Sequence, residues 1–333
     1  MNKISIARAW AVAAALLTMT SAGVAQTREI VIPVSSFSFA TASVRIAKEL
    51  GIFEKHGLNA KIVAMDSANA AISALIAGSS EVVVSGPGEL IAAQGRGQPV
   101  VLVADLYRGL GASLVLSKNV ADKLKISPEA PVAERLKALD GLIIASASAT
   151  SSYTVSFKGA AEDAGANIRF TYMTQPSMVA ALESGAIQGF IASAPFWGIP
   201  VSRDTATLWL SGPKAELPPQ NMPVSSTSIQ AMKKFAYANP DLMNTLASVA
   251  ADVGAAVEQR PAAVKAALAK LYPDLDAKTV ELLFETESAA WKTKPFTPDD
   301  ITHEIDFVKS TGTPLPQIDS VNPADVLFQA KSK

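Results

Sequence analysis

The 333-residue chain has no cysteine and only two histidines. The first absence excludes disulfides, thiolate nucleophiles and thiolate metal sites. His56 beside Lys55 and His303 beside Glu304 fall in polar helical contexts expected to be exposed, and neither has a second histidine nearby, so no metal site is expected. A Gly-x-Ser-x-Gly elbow, a Gly-x-Gly-x-x-Gly fingerprint and a Gly-Lys-Ser/Thr phosphate loop are all missing. Binding without turnover, and without a cofactor, becomes the leading class. Charge of one sign is also lacking, with 29 Lys and Arg against 30 Asp and Glu, so neither nucleic acid nor an anionic membrane is expected as a partner.

Long hydrophobic runs are nearly absent too. The single candidate, Ala9 to Leu17, follows Lys3 and Arg8 and precedes "TMTSAGVAQ", where Gly23 and Ala25 suit cleavage before Gln26. The run falls short of the roughly 20 residues a spanning helix needs. Residues 1–25 are read as a cleaved secretory signal, and with no cysteine at the cleavage site the product is not a lipoprotein. A secreted, soluble chain without direct membrane insertion is expected. At about 300 residues such a chain can divide into two lobes.

What is present is an alternation of strands and helices. "EIVIPV", "NAKIVAM", "EVVVS" and "PVVLVADL" read as strands, separated by "SFATASVRIAKEL", "SANAAISALIAG" and "PGELIAAQGRG" as helices, which predicts a largely parallel α/β sheet. The same grammar returns about 107 residues later. Ala-Leu-x-x-Gly occurs at Ala74–Gly78 and Ala181–Gly185, each followed by a short strand and a Ser-x-Pro turn, at Ser85–Pro87 and Ser193–Pro195. Two tandem Rossmann-like units describe two lobes joined by two crossovers. The crossovers are "YRGLGASLVLSKN" and the proline-rich "LSGPKAELPPQNMPVSSTSIQAMKKF". Lobe 1 is assigned residues 26–107 and 224–333, and lobe 2 residues 108–223, with hinges near Leu106–Gly109 and Gly212–Pro223. The C-terminal helices, with Pro240, Pro261 and Pro298 as starters, are expected to cover lobe 1.

In an open parallel sheet, ligands bind at the carboxyl ends of the strands, where unpaired helix-start amides and the helix dipole favour anions. The candidate turns carry Ser36 and Ser38; Ser85, Gly86 and Gly88; and Ser148, Thr150 and Ser151. Phe37, Phe39, Tyr107, Phe196 and Trp197 lie at loops and crossovers in a chain only 6% aromatic, and are proposed, with Pro195, as apolar walls around an organic ligand. Arg108 is a candidate cation for a carboxylate or sulfonate. Glu89, third in its helix, either complements the dipole or faces the cleft and selects a ligand that also bears an amine.

Four successive blocks, "ASVRIAKELGIFEKHGLNAKIV", "ALIAGSSEVVVSGPGE", "LKALDGLIIASASATSSYTVSFKGAAEDAG" and "MVAALESGAIQGFIASAPFW", resemble the periplasmic solute-binding proteins of the nitrate, sulfonate, taurine and bicarbonate ABC transporter group, the NMT1-like proteins. The resemblance implies a two-lobed type II periplasmic binding protein fold, a ligand between the lobes, and delivery to an ABC permease with a cytoplasmic ATPase. The aromatic residues then suit a small organic anion, an alkyl or aryl sulfonate or an aromatic carboxylate. Related thiamine-pyrimidine synthases are enzymes on the same fold that rely on a cysteine-rich iron-binding segment, absent here. A secreted ligand sensor is the remaining alternative.

Overall fold

A computed structural model of the protein describes residues 27–65, 67–312 and 314–329. The expected secretory signal lies outside the described residues. Ten strands are present among them: β1 (Arg28–Val34), β2 (Leu58–Ala64), β3 (Val82–Ser85), β4 (Val100–Arg108), β5 (Ser113–Ser117), β6 (Ile143–Ser146), β7 (Arg169–Tyr172), β8 (Gly189–Ala192), β9 (Ala206–Ser211) and β10 (Ser225–Met232). The short apolar runs, such as "VVVS" in β3, are buried along their whole length, as strands covered on both faces must be.

The strands form two five-stranded sheets, ordered β2-β1-β3-β10-β4 and β7-β6-β8-β5-β9. In the first, β1 pairs in parallel with β2 and β3. In the second, β6 pairs in parallel with β7 and β8. The internal echo in the sequence is therefore a repeated sheet, with β7-β6-β8 in the places of β2-β1-β3. The expectation of a parallel sheet holds for these three strands in each sheet and fails for the fourth position. There β10 runs antiparallel to β3 and β4, and β5 runs antiparallel to β8 and β9.

Residues 225–232, expected to belong to a crossover, are an interior strand. Their serine-rich sequence disguised them, because Ser225, Thr227, Ser228 and Gln230 are buried inside the sheet, with the three hydroxyls and the Gln230 amide N–H groups hydrogen-bonded. Ser225 Oγ donates to Asp105 Oδ1 at 2.7 Å and Thr227 Oγ1 donates to the Ala40 carbonyl at 2.6 Å. A buried hydroxyl with a partner costs little, whereas periodicity counts it as a loop signal.

Each fourth strand reaches its sheet from the other one, since β5 follows β4 and β10 follows β9. The two connections run side by side. Gly109 N–H donates to Val224 O at 2.8 Å, Gly111 N–H to Ser226 Oγ at 2.6 Å and Gly212 N–H to Ala112 O at 3.0 Å. A Cβ on Gly212 would stand 2.5 Å from the Leu110 carbonyl oxygen, so only glycine fits where the connections cross.

Pro240, Pro261 and Pro298 occupy the first turns of helices Pro240–Gln259, Pro261–Leu271 and Pro298–Ser310, and Thr297 and Asp300 form a capping box for the last. Helix Pro240–Gln259 packs on β4 and helix Pro298–Ser310 on helix Pro87–Gln94, both beside the first sheet. Helix Ala277–Glu287 instead packs against helix Gly198–Ser202, which follows β8 of the second sheet. The expectation that the C-terminal helices cover one lobe is thus too narrow. Gly198 permits the contact, because a Cβ there would lie 2.9 Å from Leu283 Cγ. Buried side chains from both sheets, including Phe39, Tyr107, Phe190, Trp197 and Trp291, merge there into one apolar cluster.

Candidate functional site

The carboxyl ends of the parallel strands of both sheets open onto one cleft of about 740 Å³. Its lining comes from the loop after β1, the start of helix Pro87–Gln94 after β3, the loop after β6, β10, and helix Pro298–Ser310. Ser36, Ser38, Gly86, Gly88, Thr150 and Ser151, all expected at the site, line this cleft. Hydroxyls organise the loop after β1, where Thr41 Oγ1 donates to the carbonyls of Ser36 (2.6 Å) and Ser38 (3.1 Å), and Ser36 and Ser38 join through their hydroxyls at 3.1 Å.

On the opposite side, Ser151 Oγ caps helix Ser152–Asp163 by accepting from Thr154 N–H at 3.2 Å, and Thr154 Oγ1 donates to the Ser148 carbonyl at 2.6 Å. The Ser152 and Tyr153 amides begin this helix at the cleft wall with no intrahelical acceptor, and the helix dipole gives them partial positive charge.

The other expected residues are elsewhere. Ser85 is fully buried, with its carbonyl accepting from Gln230 Nε2 at 3.0 Å, and Ser148 contributes a carbonyl to the loop rather than a side chain to the cleft. The aromatic walls are not at the cleft. Phe39 is buried, with its ring 4.7 Å from that of Tyr272 and 5.9 Å from that of Trp291. Phe37, 50% exposed, lies over the Arg45 guanidinium at 4.7 Å. Tyr107 and Trp197 are buried and both donate to the Glu287 carboxylate, the indole N–H at 3.1 Å. Pro195 and half-buried Phe196 sit in the same turn as Trp197, behind the loop after β1, where Phe39 N–H donates to the Ala194 carbonyl at 3.1 Å. Phe39, Tyr107 and Trp197, with Phe196 packed against them, fill the junction between the sheets because that junction offers far more apolar contact than a polar cleft. Arg108 lies outside the cleft as well. It pairs with Asp105 at 3.1 Å and with Asp300, and its guanidinium stands over Phe296.

Several cleft residues were not anticipated. Tyr153 adjoins the serine-rich loop that was, and Glu304 adjoins the expected exposed His303. His303 Nε2 contacts the Met222 carbonyl at 2.8 Å and Glu304 is 2% exposed, so that helix face is an inner one. Its apolar neighbours Ile301, Ile305 and Val308, at helical spacing around Glu304, were the available signal.

Burial pushes the Glu304 carboxyl up to about 8, against the Val224 N–H it accepts at 2.7 Å and with help from the charges of Glu89 and Asp105. Glu89 is both things that the sequence allowed. It lines the cleft, and its carboxylate folds back to accept from its own amide and that of Gly86, while burial raises its pKa. The Gly86 and Glu89 amides at the start of helix Pro87–Gln94 are therefore engaged internally, and a carboxyl already stands at that turn.

The two five-stranded sheets and the cleft at their strand ends have the periplasmic binding protein fold. The family model described as the NMT1-like family matches residues 37–272, and the chain belongs to that family. Solved structures are similar across nearly the whole chain. The periplasmic aliphatic sulphonate binding protein SsuA from Escherichia coli is 17% identical, with a TM-score of 0.69, covering 91% of this chain and 99% of its own. The alkanesulfonate-binding protein SsuA from Xanthomonas axonopodis pv. citri, bound to MOPS, is 17% identical with a TM-score of 0.65, covering 91% and 98%. The periplasmic nitrate-binding protein NrtA from Synechocystis PCC 6803 is 14% identical with a TM-score of 0.57, covering 90% and 87%. Curated protein sequences give no significant match. No helix among the described residues is long and apolar enough to cross a membrane.

Proposed function

We propose that the protein is the periplasmic substrate-binding component of an ABC importer, a monomer that captures a small organic acid and passes it to a permease driven by a cytoplasmic ATPase. It binds without covalent chemistry. The observation that carries this reading is the cleft itself, lined by hydroxyls and a helix start from two sheets linked by two adjacent connections. Lobe 1 comprises residues 26–107 and 224–333 and lobe 2 residues 108–223, and rotation about the paired connections closes the cleft on the ligand. The acidic group accepts from the Ser152 and Tyr153 amides and from the hydroxyls around them. A sulfonate or carboxylate held this way needs no lysine or arginine. Family membership and the sulfonate and nitrate binders of similar fold support the assignment.

The test is a thermal-shift screen of sulfonates and carboxylates of graded size alongside uncharged amide and alcohol analogues. A ligand at a hundred times its Kd stabilises the folded state by about 2.7 kcal/mol, which raises the melting temperature measurably. The expected result is a shift from at least one organic acid and none from its uncharged analogue. Shifts produced by uncharged analogues alone would refute the acid assignment.

A further inference from the structure

The charge inside the cleft is one-sided. Among its lining residues only Glu89, Glu304 and Arg96 are charged, and Arg96 is exposed. Glu304 is almost completely buried and Glu89 half-buried, and no ion pair of the described residues involves either carboxyl. The two carboxyls come from helices that pack on one another, and the charge of Glu89 adds to the cost of ionising Glu304. Glu304 Oε2 accepts from Val224 N–H. Its Oε1 lies on the side of Gly88, 3.6 Å from where a Cβ of that residue would stand, and the missing side chain leaves this approach to the cleft clear. From the other lobe Tyr153 brings a phenol that lines the same cavity and lies close enough to Glu89 to feel its charge.

A plain anion entering this cavity finds two carboxyls and no inner cation on the side of lobe 1, and its charge favours keeping both carboxyls protonated rather than gaining a partner there. A protonated amine reverses the balance. Its N–H groups donate to Glu89 and Glu304 together, supplying the counter-charge that lets carboxyls which burial keeps protonated ionise in place. We propose that the ligand carries, besides its acidic group, a protonated amine held between Glu89 and Glu304, so that the cleft takes a short amino acid or amino-sulfonate. The acid faces the helix start at Ser152 and the amine faces the two glutamates, so one molecule bridges both lobes. This inference rests on the binding role and the acid site proposed above.

Isothermal titration of the chain without residues 1–25 against matched pairs, each acid with and without its amine, tests it. Suitable pairs are taurine against ethanesulfonate, β-alanine against propionate, and para-aminomethylbenzoate against para-toluate, near neutral pH. The amine-bearing member is expected to bind at least about tenfold tighter, as one charge-assisted hydrogen bond requires. Glu89→Gln and Glu304→Gln are each expected to remove that preference while leaving a cooperative melting transition. If Glu304→Gln does not fold, Glu89→Gln, at a half-buried position, decides alone. A des-amino partner that binds as well as the amine or better overturns this inference and leaves the organic-acid reading standing. A preference for the amine that persists in the glutamine variants also overturns it. Absence of binding by every pair, in protein that melts cooperatively, overturns both.

Discussion

Glu304→Gln is expected to flatten the pH dependence of stability between the titration of an exposed glutamate, 4.5, and that of the folded carboxyl, about 8. The carboxyl is held at about 8 by burial, whereas an exposed glutamate titrates near 4.5. Between these values the folded protein keeps a proton that the unfolded chain has released. The unfolded state then binds fewer protons than the folded one, so stability falls as pH rises and the contribution is lost as pH passes through the folded value. In that window one such group changes stability by about 1.4 kcal/mol per pH unit. From about pH 6 to about pH 9, allowing for titration of the folded state itself, Glu304 accounts for roughly 2 to 3 kcal/mol of lost stability. Glutamine retains an acceptor for the Val224 amide and does not titrate. Glu287, raised to about 7, and Asp105, raised to about 6, are present in both proteins, so the difference between the two pH profiles reports Glu304 together with its coupling to Glu89 and Asp105. Urea denaturation followed by the fluorescence of buried Trp197, Trp209 and Trp291 reads it. Parallel loss of stability in wild type and variant over this range would refute the placement of Glu304 in a desolvated wall.

Two further outcomes follow from the packing. Trp197→Ala, which removes a buried indole and leaves Glu287 one donor short, is expected to lower stability by about 3–5 kcal/mol in urea denaturation of the ligand-free protein. Unchanged stability with weakened ligand binding would return Trp197 to the cleft. Gly212→Ala, which forces a methyl against the Leu110 carbonyl, is expected to cost at least about 1–3 kcal/mol and to lower the melting temperature by several degrees. A melting temperature equal to that of the wild type would show that the paired connections have room to part.

Much of the architecture is written in local sequence. The runs "EIVIPV" and "EVVVS", the caps Ser151 and Thr297 and the helix-starting prolines act over a few residues, where propensity and capping decide the outcome. The internal echo also carried the repeated sheet, since β7-β6-β8 and β2-β1-β3 are built from similar short units. The hydroxyls at Ser36, Ser38, Thr150 and Ser151 were legible for the same reason, because strand-to-helix turns reach one edge of a parallel sheet whatever surrounds them.

The tertiary structure alone decided the rest, through partners far apart in the chain. Residues 225–232 read as a connection until β3 and β4 closed on them and satisfied their serines. Phe39, Tyr107 and Trp197 read as cleft walls, and the junction between the sheets drew them in because its apolar contacts outweigh those of a polar cavity. Arg108 turned outward to Asp105 and Asp300, the latter nearly two hundred positions away. Glu89 and Glu304, distant in sequence, came to face one cleft only when two helices packed together. The sequence by itself determined the strand-and-helix grammar and the hydroxyl-rich edge of a binding cleft. The charge inside that cleft depended on which distant side chains folding brought to its wall, because desolvation and charge coupling act across space, not along the chain.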